Sequence, residues 1–61
     1  MPDLNPNQSK GVFVVRGLLK SMLSSGDLTD AMLKELISAG KDYQLSEDYV
    51  RKLVTEVEAN N

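Results

Sequence analysis

The chain has no cysteine and no histidine, and these two absences exclude more chemistry than any motif supplies. Without cysteine there can be no disulfide framework, and without either residue the usual ligands of a structural zinc are missing. Long apolar runs are missing as well. The longest, Val12 to Val15, spans four residues, against the roughly 20 that a membrane span needs. Met1 to Gln8 is polar and contains two prolines, with no basic region leading into an apolar one, so the expected location is cytoplasmic. There is no excess of basic residues. A formal charge of −2 argues against a protein whose main business is coating nucleic acid, although it leaves room for a local basic face. A glycine-rich phosphate loop does not occur, and Asp27-Leu28-Thr29-Asp30 lacks the alternating oxygen ligands and closing glutamate of a calcium loop. No cofactor or metal is expected.

What is present is a phrase written twice, 17 residues apart: Leu28-Thr29-Asp30-Ala31-Met32-Leu33 and Leu45-Ser46-Glu47-Asp48-Tyr49-Val50. Both copies read as helix starts. In each, a hydroxyl residue (Thr29, Ser46) can accept from an orphan N–H of the first turn, and acidic residues follow where the helix dipole is positive. The leucine before each cap and the apolar residue five positions on (Leu33, Val50) have the spacing of a hydrophobic staple. The spacing predicts helices over about 30–39 and 47–59, the first of them ended by Gly40 acting as a C-terminal glycine. On the second helix Met32, Leu33, Leu36 and Ile37 fall on one arc at 100° per residue, and on the third Tyr49, Val50, Leu53, Val54 and Val57 do the same. The opposite faces carry the acid-before-base pairs Asp30 with Lys34, Glu47 with Arg51 and Asp48 with Lys52, each worth about 0.2–0.5 kcal/mol on an exposed helix.

Before these come a flexible arm, expected over residues 1–8 on account of its prolines and asparagines, and a first helix over about 10–24, closed by Gly26 in a left-handed conformation. A competing reading makes Gly11 to Val15 a strand, because β-branched and aromatic residues favour pleated surfaces. Residues 9–61 then form one all-α domain, a small three-helix bundle. A chain of 61 residues buries only about 60% of its unfolded surface, so the core must be thin.

The first helix departs from this scheme. Its apolar arc, from Val14 through Leu18, Met22, Val15, Leu19 and Val12 to Leu23, covers about 180° and is wider than two small partner helices need. Phe13, the only phenylalanine, lies outside the arc beside Arg16 and Lys20, with Gly17 one turn on. An aromatic anchor flanked by cations and by a glycine that permits close approach suits a binding surface. The alternative is that Phe13 covers the bundle edge or lies under the arm. Phe13, Val14, Arg16, Gly17 and Lys20 are thus the candidate partner-binding residues.

Catalysis requires convergent polar groups in a sheltered pocket, which a chain this small and without histidine or cysteine is poorly equipped to build. The expected function is therefore non-enzymatic: a regulatory or protein-interaction module whose partner is another protein or a second copy, since pairing two copies as a homodimer would bury the surplus apolar face. The alternative is a small dimeric DNA-binding regulator using Lys10, Arg16 and Lys20. A helix-turn-helix reading places a connection from Gly40 to Leu45, longer than that motif prefers, before a helix opening with Glu47 and Asp48. A ribbon-helix-helix reading requires the strand. A role for the first helix at a membrane surface is weakened by its few cations.

Overall fold

The computed structural model describes residues 4–60. Three helices follow one another, α1 (Pro6–Ser25), α2 (Asp30–Asp42) and α3 (Glu47–Asn60), with no strand among the described residues. At 1.5 Å per residue the 20 residues of α1 account for the longest dimension of a body measuring 32 × 22 × 17 Å. The shorter α2 and α3 pack on α1 and on each other.

The segment Gly11 to Val15 is helical and not a strand. Its burial decides the matter physically, because Gly11, Val15 and Leu19 are buried while Phe13 and Gly17 between them are exposed; a strand would set all five on one face, whereas a helix turns 13 and 17 away from the other three. α1 also begins earlier than expected, at Pro6. Proline there starts the helix instead of interrupting it, since the first-turn N–H groups are unpaired anyway and the ring fixes a helical φ. Asn5 is the cap: its side chain accepts from the Gln8 N–H at 2.7 Å, and the Gln8 side chain accepts from the Asn5 N–H at 3.1 Å, forming a capping box. Of the expected arm, residues 6–8 therefore belong to α1, and residues 1–3 lie outside the described residues.

The start of α1 is also tied to the far side of the chain. Asn5 Nδ2 donates to Gln44 Oε1 at 3.2 Å and Gln8 Nε2 to the Gln44 carbonyl at 2.9 Å. Gln44 sits at φ 66°, the one positive φ among the described non-glycine residues, and turns the chain from α2 into α3. Gly26, at φ 146° and ψ −159°, makes the corresponding exit from α1, in a positive-φ extended geometry open to glycine and distinct from the left-handed cap expected for it.

The two capping phrases behave as read. Thr29 accepts from the Met32 N–H and Ser46 from the Tyr49 N–H, both at 3.2 Å. Gly40, however, does not end α2. The helix continues to Asp42, and Gly40 is buried inside it, where a Cβ would come 2.5 Å from Val50 Cγ2. The absence of a side chain there serves helix approach and not termination. Val15, Leu19, Leu36 and Val50 are fully buried, joined by Leu45, Leu53, Val54 and Val57. Val12, Met22, Leu23, Leu28, Leu33, Ile37, Tyr43 and Tyr49 close the edges of this core. Of the three expected helix-surface pairs only Glu47 and Arg51 meet, at 3.0 Å. The other two are within the range of exposed pairs whose attraction does not offset the side-chain entropy lost in forming them.

Candidate surface on the first helix

α1 uses only part of its wide apolar arc. With Val15 and Leu19 at the centre of the buried face, a rotation of 100° per residue puts Phe13 and Gly17 on the opposite crest. Phe13 is 82% exposed and Leu18 41% exposed, the two large apolar side chains that stand out of the described structure. Val14 is half-buried at the margin. No described residue covers the phenyl ring, so it neither caps the bundle edge nor lies under the segment that begins at Leu4.

Gly17 is exposed, and a Cβ built on it would meet nothing within 4 Å. The internal packing therefore gives no reason for glycine at this position. The contrast with Gly11 is instructive: a Cβ there would run into Tyr43 Cβ and stand 2.8 Å from Tyr43 Cγ. Gly11 is where α1 approaches the α2–α3 linker, and it was the less conspicuous of the two in the sequence.

Three cations, Lys10, Arg16 and Lys20, are exposed on α1, and the helix contains no acidic residue. Arg16 and Lys20 lie one turn apart on the flank of Phe13 that turns towards α3, and Lys10 on the other flank. The structure separates these cations in one respect. Arg16 Nη2 reaches Glu56 Oε1 of α3 at 3.7 Å, both side chains being about half exposed (50% and 53%), while Lys10 and Lys20 make no ion pair among the described residues. Arg16 and Lys20 also line, with Val57 and Asn60, a shallow groove of about 260 Å³ between α1 and α3. Glu56 and the groove residues of α3 were missed by the sequence reading, which had no means of pairing positions so far apart in the chain.

No charged or polar residue is buried, and no group of three or more metal-ligating side chains occurs among the described residues. No helix among them is long and apolar enough to cross a membrane. Compared with protein-family models, curated proteins and solved structures, the chain matches none. The surface must therefore be judged from its own chemistry: an exposed aromatic ring on a helix crest, two smaller apolar side chains at the margin of that crest, an open glycine one turn from the ring, and cations on both flanks.

The DNA-binding alternatives fare unequally. The ribbon-helix-helix form needs a strand where α1 is helical, so that form does not apply. The objection to a helix-turn-helix on loop length also needs correction, because α2 runs on to Asp42 and leaves only residues 43–46 between the helices. The objection from charge stands: Glu47 and Asp48 are exposed in the first turn of α3, where such a helix would meet phosphate.

Proposed function

We propose that this chain is a non-enzymatic helical module that binds another protein through the outer face of α1. The observation that carries the reading is Phe13, 82% exposed in the middle of the longest helix while every other aromatic or β-branched side chain of the three helices faces the core or its margin, Thr55 excepted. A phenylalanine loses favourable burial of its ring by standing in water, and aromatic anchors of this kind dominate the energetics of interfaces. Val14 and Leu18 extend the apolar patch, Gly17 leaves room beside it, and Arg16 and Lys20 supply a polar rim.

A photo-crosslinking phenylalanine analogue at position 13, with the same group at exposed Lys52 as control, tests the reading in cells. Adducts to protein from position 13 and none from position 52 are expected. Equal yields from the two positions, or none from position 13, would refute it. Phe13→Ala should leave helicity and melting nearly unchanged, within about 0.5 kcal/mol, as for other exposed substitutions. A large loss of stability would place the ring in the core and end the proposal.

The rival reading, a DNA-binding regulator, draws on Lys10, Arg16 and Lys20. It separates by salt, since phosphate contacts release counterions and lose affinity steeply as salt rises, whereas an interface centred on Phe13 retains its apolar part.

A further inference from the structure

We infer that the occupant of the α1 face is an acidic segment of a different protein, with apolar side chains along one side, and not a second copy of this chain. This deepens the protein-binding reading and rests on it. The argument is one of charge. α1 carries Lys10, Arg16 and Lys20 and no acidic residue, whereas α2 and α3 together carry seven acidic residues, Asp30, Glu35, Asp42, Glu47, Asp48, Glu56 and Glu58, against four basic ones. Of the three helices, the one that bears the exposed ring is thus the only one with a net positive charge.

Self-pairing through this face sets like charges together. In an antiparallel pair of α1 helices crossing at the turn from Phe13 to Gly17, Lys10 of one copy lies against Lys20 of the other, and a parallel pair sets each cation against its own counterpart. The acidic residues of a second copy's α3 are a poor substitute, because Arg51 and Lys52 interrupt them and Glu47 is already engaged by Arg51 at 3.0 Å. A nucleic acid would satisfy the cations but not Phe13, which stands on the crest between them, nor Val14 and Leu18 at its margin. An acidic helix with an apolar stripe satisfies both: its stripe covers the ring, and its carboxylates reach Lys10 on one flank and Arg16 and Lys20 on the other.

The test is an NMR titration of the full chain with two model helical peptides that share one Leu/Phe stripe, one flanked by glutamates and the other by lysines, with a DNA duplex as a third probe and sedimentation of the chain alone. Amide shifts confined to residues 10–20 with the glutamate peptide are expected, with affinity at least about tenfold above that for the lysine peptide, as three exposed charge pairs provide. The double variant Lys10→Glu with Lys20→Glu should reverse the preference while keeping the native helical spectrum. Equal binding of the two peptides would overturn the acidic-partner inference and leave the protein-binding face standing. Tighter binding of the DNA duplex, or a dimer in sedimentation that Phe13→Ala dissociates, would likewise overturn it. If neither peptide binds and position 13 forms no protein adduct in cells, the protein-binding reading itself fails.

Discussion

Two glycines of α1 should respond in opposite directions to the same substitution. Replacing glycine by alanine inside a helix gains about 0.8–1 kcal/mol from propensity alone, because the unfolded chain has less freedom to lose. At Gly17 nothing stands within 4 Å of the added Cβ, so Gly17→Ala should show the whole gain. At Gly11 the new methyl would meet the Cβ of Tyr43 and lie 2.8 Å from its Cγ, far inside the 3.5–4.0 Å of ordinary carbon contacts. Neither atom is the free end of a flexible side chain, so α1 and the α2–α3 linker must separate. Overpacking of this kind costs about 1–3 kcal/mol. With the upper part of that range applied and the propensity gain subtracted, Gly11→Ala should destabilise by about 2 kcal/mol. The two variants then differ by about 3 kcal/mol, and at a urea slope of about 1 kcal/mol per M their midpoints differ by about 3 M. Urea titration followed by helical circular dichroism measures this directly, an unchanged slope showing that stability alone has moved. Gly11→Ala as stable as the native chain would refute the close approach of α1 to Tyr43, and a destabilised Gly17→Ala would refute the open crest. Because Gly17 is free of internal contacts, Gly17→Ala should also weaken binding at the Phe13 face while strengthening the fold, the trade-off expected of a position kept for function.

Other outcomes follow from the same packing. Leu53→Ala removes a core side chain that is only 4% exposed and should cost about 2–5 kcal/mol, enough to unfold a marginal domain; a normal thermal melt would show that the register of α3 is wrong. Thr29→Ala deletes the acceptor for the Met32 N–H and should lower stability by about 0.5–2 kcal/mol, read from the same urea titration, with no loss meaning that the cap is dispensable. Glu56→Gln breaks a half-exposed ion pair and should change stability by no more than about 1 kcal/mol. It also frees Arg16, so the glutamate-flanked peptide should bind the variant more tightly, and weaker binding would show that Glu56 helps to hold the partner.

The places where the sequence reading needed correction have definite causes. The prolines and asparagines of residues 1–8 predict an irregular arm, whereas Asn5 and Gln8 form a capping box with proline in the first turn; that signal is local to the sequence. Gly40 likewise predicts an end to α2 that the helix, running on to Asp42, does not take. Here the information was not local. Gly40 is a glycine because Val50, on another helix, fills the space where its side chain would stand.

The sequence by itself determined that α2 and α3 are helices, where they start and which apolar stripe each carries, because capping bonds and helical periodicity act within a few residues and recur wherever their residues do; for Gly11 to Val15 it left helix and strand both open. It also determined that α1 has more apolar surface than two short partners can cover. Only the tertiary structure decided which part of that surface is left over, since the choice depends on the angle at which α2 and α3 meet α1. That angle buries Val15 and Leu19, brings Gly11 against Tyr43, pairs Arg16 with Glu56 and leaves Phe13 in solvent. Contacts between positions far apart in the chain settle the rotation of a helix about its own axis, and no pattern of neighbouring residues carries that information.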